Sequence, residues 1–404
     1  MSPLITYRRL LNLAGPGYVI VAFLGRLPLA MSQLGALLLV STATGQFAAG
    51  GLTAGALAVA NAIGAPLAGA MADKLGQRPV LLFQSLVAAT ALAGLVGLVT
   101  ADARLSHVVA VAVLAGLAIP QVGPLARVRW RPMTTTAGNA QPRLINAAFS
   151  YEGAADEASF VLGPALVGAI AVVISPGGAL LAAAGLLAVF GCWFAMHPTA
   201  RLTGHHEARR GPVRRRLVST SLVILAAAQL LIGVIFGATQ TGTTVLATLE
   251  GNAGVAGLVH ALLGVGSVIA GLSVAGLPER FGYERRLVTF AGALLVLSAP
   301  LLAVGTISAL VPAVIALGFA VAPYMISVFT LAERIVPPNR VGAALTMLAG
   351  ATGIGYALGS ALAGGLADLG GQRPAFAVSV TAGGLALLLA LLARPQLAGA
   401  FREA

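Results

Sequence analysis

Residues 143–169 read RLINAAFSYEGAADEASFVLGPALVGA. Alanine, leucine, valine and phenylalanine dominate, and the run exceeds the roughly 20 predominantly apolar residues that a membrane-spanning helix needs. Its middle nevertheless carries Glu152, Asp156 and Glu157, and Gly163-Pro164 and Gly168 follow. An acid at the bilayer centre costs about 2.5–3.5 kcal/mol on insertion scales, so intramembrane carboxylates mark function by default. Three within six residues make this stretch the centre of the candidate site. It reads as the fifth in a series of membrane helices.

The rest of the chain supplies that series. Of 404 residues, 58% are hydrophobic and only 9% charged, with a mean hydropathy of +0.95; a soluble domain carries about 25% charged residues. Long apolar runs separated by short polar breaks predict an all-α integral membrane protein and exclude a β-barrel, whose strands are short and alternating. Twelve spans are expected near 14–42, 48–72, 79–100, 107–129, 144–174, 177–196, 218–246, 254–277, 287–306, 308–333, 341–366 and 374–393. Arg8-Arg9 followed by about thirty apolar residues, with no short cleavable core, reads as an uncleaved first helix.

The net charge of +12 does not indicate a nucleic-acid partner. With the N-terminus in the cytoplasm, 21 of the 24 lysines and arginines fall on cytoplasmic segments, including Arg127 and Arg129 at the end of the fourth helix and Arg131 and Arg143 beyond it. Arg104 and Arg373 fall outside, and Arg26 lies within the first helix. That asymmetry predicts an even helix number with both termini inside. The polar stretch 197–217 divides the chain into a half at 1–196 and a half at 218–404. His205-His206 in this linker lacks the spacing and partners of a metal site.

The halves repeat. GPALVG at 163–168 aligns with GSALAG at 359–364, and GLAIP at 116–120 with GFAVAP at 318–323. GAMADKLGQR at 69–78 has a counterpart at 275–286 that includes Glu279, Arg280, Gly282 and Arg285. Two six-helix halves of one orientation are the internal symmetry of a major-facilitator-type transporter. Pro120 and Pro323 are expected to act as symmetric bends.

In the loop after the second helix, Gly69, Asp73, Lys74, Gly76 and Arg78 resemble the signature of the major facilitator superfamily, G-x-x-x-D-R/K-x-G-R/K-R/K. Gln77 stands where a basic residue is common. A carboxylate here can sit against the positive N-terminus of a neighbouring helix. The resemblance implies that the neighbour is the eleventh helix, and that the contact gates the cytoplasmic side. Gly163-Pro164 resembles the family's fifth-helix motif, which is associated with drug and proton antiporters. The resemblance also implies a basic residue in the middle of the fourth helix. Arg127 is its nearest counterpart here and reads as lying near the cytoplasmic end.

Depth joins the charges. At 1.5 Å per residue, Arg26 and Asp156 both lie roughly 16–18 Å from the same membrane face, so Arg26 is expected to pair with Asp156 or Glu157. Glu152, Asp156, Ser159 and Gly163 share one helical face, and Glu157 points about 100° away. One arginine cannot neutralise three acids, and the surplus makes Arg26, Glu152, Asp156 and Glu157 the candidate proton-coupling set. Gln33, Gln121, Gln229 and Tyr324 lie on the first, fourth, seventh and tenth helices, which by resemblance line the cavity. The expected function is proton-coupled export of a small, partly apolar molecule by alternating access. A proton symporter for metabolite uptake and a non-transporting sensor are the alternatives. No catalytic constellation, metal site or cofactor is expected. The partners are the substrate, protons and the lipid of the cytoplasmic (plasma) membrane, with the protein acting as a monomer.

Overall fold

A computed structural model describes residues 3–45, 47–203, 219–251, 255–278, 281–337 and 340–402. It contains twelve helices long and apolar enough to cross a membrane. They are α1 (Pro3–Thr44), α2 (Phe47–Leu75), α3 (Gln77–Thr100), α4 (Leu105–Ala118 continuing as Val122–Met133), α5 (Gln141–Val173) and α6 (Pro176–Met196) in the first half. The second half holds α7 (Thr220–Leu249), α8 (Ala256–Ser273), α9 (Tyr283–Ser298), α10 (Ile307–Ile335), α11 (Val341–Gly370) and α12 (Gln372–Arg402). Most of the linker, with His205-His206, and the Glu279-Arg280 part of the second loop motif lie outside the described residues.

Helix α1 is longer than the apolar run predicts. Gly15 adopts φ 78°, a left-handed conformation glycine reaches without a Cβ clash, and it separates residues 3–14 from the spanning segment. Pro16 then opens that segment, where its missing N–H leaves no bond unmade.

The repeat is visible in packing. A side chain at Gly163 of α5 would meet Ala30 of α1 at 2.6 Å, and one at Gly359 of α11 would meet the Val234 carbonyl of α7. In the same way Gly116 of α4 abuts the Leu57 carbonyl of α2, and Gly318 of α10 abuts the Leu263 carbonyl of α8. Small residues at matched positions thus set matched close approaches in both halves.

The two prolines, however, act differently. At Pro120 helix α4 breaks over residues 119–121, whereas α10 runs unbroken through Pro323. The expected pair of symmetric bends is therefore a single break. Pro120 has no N–H to donate to the Gly116 carbonyl four residues back, and Asn61 of α2 takes over. Its Nδ2 donates to the carbonyls of Gly116 (3.0 Å) and Ile119 (3.1 Å). Gln121 Nε2 then donates to Asn61 Oδ1 at 2.8 Å.

Gly163→Val should cost about 1–3 kcal/mol through overpacking against Ala30. Gly168→Ala, which meets nothing within 4 Å, should be neutral. Thermal unfolding of the two variants in detergent checks the contrast.

Candidate functional site

Helix α5 delivers Glu152 and Asp156 to the α1–α4 side of the first half. Arg26 of α1 is 3% exposed and reaches both. Its Nη2 lies 2.5 Å from Glu152 Oε2 and its Nη1 lies 3.1 Å from Asp156 Oδ1. Its Nε donates to the Ala22 carbonyl. Glu152 is wholly buried and also accepts from Trp130 Nε1 at 2.6 Å. A second cation completes the group, because Arg127 Nη1 lies 2.7 Å from Asp156 Oδ2. Gly123, one turn before Arg127, faces the Asp156 carboxylate so closely that a Cβ there would strike it.

Of the two expected partners of Arg26, Asp156 is in contact and Glu157 is not. Arg26 binds Glu152 and Asp156, and Glu157 takes no part. Arg127 joins the group instead, 2% exposed within the bundle. The cluster holds two arginines and two acids, so its formal charge balances.

Its two ends differ in firmness. Arg26, Glu152 and Trp130 are joined by directed hydrogen bonds. The Arg127–Asp156 contact is close enough for an ion pair but lies outside hydrogen-bond geometry, and Arg127 Nε and Nη1 have no hydrogen-bond partner. The Arg127 guanidinium instead lies over the Phe329 ring of α10, 4.4 Å from its centroid. Such cation–π contacts contribute about 0.5–2 kcal/mol. Asp156 is also the most open member, its side chain 17% exposed.

Phe329 belongs to the other half, and other contacts bridge the halves at the same, arginine-rich end. Asp73 Oδ1 and Oδ2 accept from the backbone amides of Gly342 (3.1 Å) and Ala343 (2.8 Å). These are the first residues of α11, where amides lack intrahelical partners. Gly69 lies against Thr346 and Gly342 of the same turn. Gly76 takes φ 86° in the turn into α3, and Lys74 and Arg78 are exposed. Arg131 Nε meets Glu333 Oε1 of α10 at 2.6 Å. Tyr283 of α9 donates to Asn146 of α5, and Tyr7 of the N-terminal segment donates to the Leu272 carbonyl of α8. By contrast α7 packs on α8, α10, α11 and α12 of its own half. The halves are therefore locked together at the arginine-rich end.

Gln77 explains its own departure from the loop signature. It is buried, donates to the Leu125 carbonyl and accepts from Arg129 Nε at 2.8 Å. A cation at this position would face the Arg129 guanidinium, which stacks 3.6 Å over Phe194 and donates to Thr199 Oγ1. Just beyond α6, burial and this same guanidinium hold the His197 imidazole below its ordinary range.

The cavity residues are placed less uniformly. Gln33 is half-buried on α1. Gln121 is buried and engaged with Asn61, and Tyr324 is buried and donates to the Ala228 carbonyl at 3.2 Å. Gln229 is buried with neither amide atom bonded. Pro164 lies within the continuous α5. Sequence reasoning named Arg127 but missed its pairing with Asp156, and it missed Trp130 and Phe329 altogether. The spacing of Gly123, Arg127 and Trp130 along one face of α4 is the signal that could have found the first two.

Two symmetric six-helix bundles with a charged cluster at mid-depth form the architecture of a secondary transporter rather than an enzyme. A family model described as Major Facilitator Superfamily matches residues 17–311 and 243–403, and the chain belongs to that superfamily. Solved structures with the same fold include the human organic anion transporter MFSD10 (TETRAN), with TM-score 0.69 and 20% identity over 94% of this chain and 99% of that one. A bacterial homologue of the iron transporter ferroportin in an outward-facing state gives TM-score 0.68 and 17% identity over 93% and 98%. The proton:xylose symporter XylE gives 0.70 and 15% over 92% and 94%. No curated protein sequence matches.

Removing one partner of a buried ion pair costs about 3–5 kcal/mol. Glu152→Ala should therefore be far less stable than Trp130→Phe, which loses a hydrogen bond to a charged group worth about 1.5–3 kcal/mol. Detergent thermal melts should rank them in that order. Asp73→Asn should weaken the cap on α11 by about 1 kcal/mol. In a Cys192→Ala background, thiol labelling of a cysteine introduced at the buried Ser327 should then rise about fivefold.

Proposed function

We propose that this transporter exports a small, partly apolar molecule in exchange for protons, by alternating access. The observation that carries this reading is the double hold on Asp156. One arginine ties it to the rest of the first half, and the other lies against Phe329 of the second half. A change in charge on the acidic set would loosen Arg127 from α5 and disturb its seat on α10. Proton binding would thereby reach the lock between the halves, a two-state element that both the proton and the substrate can bias.

The asymmetry of arginines supports an orientation with both termini in the cytoplasm of a cell whose plasma membrane holds the protein. The locked end then faces the cytoplasm, and the conformation is outward-facing. Asp73 on the amides of α11 and Arg131 on Glu333 serve as its latches. We assign gating roles to Gly69, Asp73, Lys74, Gly76, Arg78, Gly163 and Pro164. Gln33 is the cavity-lining residue that its partial exposure favours, and the protein acts as a monomer. Export rather than uptake is favoured by the Gly163-Pro164 site and by walls of alanine, leucine, valine and glycine. Such walls accept apolar surface without demanding matched polar groups.

Inverted membrane vesicles carrying a ΔpH-quenched dye test the reading. Adding cationic, neutral and anionic compounds in turn should produce dequenching by at least one class with the wild-type chain. Asp156→Asn should lower that response at least tenfold. Equal responses from the two proteins would remove Asp156 from the coupling path, and silence across the panel would count against proton-driven export.

A further inference from the structure

Glu157 stands apart from the arginine cluster and in a different seam. It is 5% exposed and takes part in none of the ion pairs among the described residues, which use Arg26, Arg127 and Arg131. Its helical position turns it toward α8 of the other half. There α5 and α8 run antiparallel in close contact. Gly264 lies against Val161 and 3.9 Å from the Glu157 carbonyl, and Gly271 lies 3.7 Å from the Ala154 amide. Ser267 falls between those glycines, on the stripe of α8 that faces this turn of α5. It is wholly buried, and its Oγ has no hydrogen-bond partner.

The other groups near this carboxyl offer no positive charge to balance it. On its own helix the adjacent residue is Asp156, which adds a like charge. From α8 the groups on the facing stripe are Ser267 and, two turns away, His260. From α10 the contact on this part of α5 is apolar, Ile326 against Gly153. Arg26 and Arg127 are engaged by Glu152 and Asp156. An ionised Glu157 would be an uncompensated charge in a closed, low-dielectric seam, the arrangement that folded proteins avoid.

We propose that Glu157 is a proton-binding site in its own right, with Ser267 as its partner across the α5–α8 seam. With the seam closed, the Glu157 carboxyl carries a proton and its O–H donates to Ser267 Oγ. When the halves rock and the seam parts, water reaches the carboxyl, the O–H bond breaks and the proton leaves to that water. Reloading from water forms the same bond again, so one proton enters and one leaves with no change of redox state. The proposal rests on the proton-coupled reading and divides its labour. Glu157 binds the proton, and the neighbouring Asp156 with its arginines passes the change in charge to α4 and α10.

Infrared difference spectroscopy of the purified full-length chain tests this without any substrate. Spectra are recorded as the pH is stepped from acid to alkaline, in light and heavy water. The wild type should show the carbonyl-stretch band of a protonated, buried carboxyl, shifted by deuterium and lost as the pH rises. Glu157→Gln should lack the band and Asp156→Asn should keep it. In Ser267→Ala the band should move to higher frequency through loss of the hydrogen bond. Gel filtration and melting of each variant confirm that it is folded. A band that survives in Glu157→Gln, a wild type with no titrating band, or a frequency unmoved in Ser267→Ala would each overturn the proposal. Because no transport is measured, failure of the vesicle assay would strike the exporter reading and leave this site standing.

Discussion

A carboxylate shared between two guanidinium groups inside a membrane is the constraint around which this molecule is built. Burying either sign alone would be prohibitive, so Arg26, Glu152, Asp156 and Arg127 must assemble together. Doing so fixes how α1, α4 and α5 sit against one another. Small residues then become necessary where these helices touch. Gly163 lets α5 close on Ala30 of α1, and Gly123 makes room for the Asp156 carboxylate beside α4. The charges and the glycines are one requirement seen twice, since ion pairs of this length demand backbones this near.

The same constraint reaches the second half through a ring rather than a charge. Phe329 offers Arg127 a polarisable face without a second anion, so the contact holds the guanidinium without fixing its direction. Around it, Asp73 binds two helix-terminal amides and Arg131 binds Glu333. These contacts are polar and can be remade by water, whereas the α5–α8 seam is packed through Gly264 and Gly271. Strong local knots and replaceable cross-links between halves suit a molecule that must part along one surface and stay whole elsewhere.

Much of this was legible in the sequence. Hydropathy located all twelve spans to within a few residues at most ends, and Gly15 marks where the expected start of the first span and the observed helix diverge. The face shared by Glu152 and Asp156, and the different direction of Glu157, followed from helical periodicity alone. The partners did not. Position along the fourth helix put Arg127 near its cytoplasmic end without a partner, but the segment of α4 after the break presents it to Asp156 of α5. Gln121 and Tyr324 were read as cavity groups because the fourth and tenth helices line the cavity by resemblance, and here they bond to Asn61 and to the Ala228 carbonyl. Periodicity gives the direction of a side chain within a helix, not the rotation of that helix against its neighbours. That rotation is set by tertiary packing.

The break in α4 has a mechanical meaning. Asn61 of α2 holds the loose carbonyls of Gly116 and Ile119 before the break and accepts from Gln121 after it, so both edges of the break are fastened to α2. Beyond it α2 carries Asp73 to α11, and the second segment of α4 carries Arg127 and Arg131 to α10. One side chain, Asn61, thus ties together the two elements of the first half that reach α10 and α11. In the second half α10 runs unbroken through its own proline, so there the same sequence position needs no such splint.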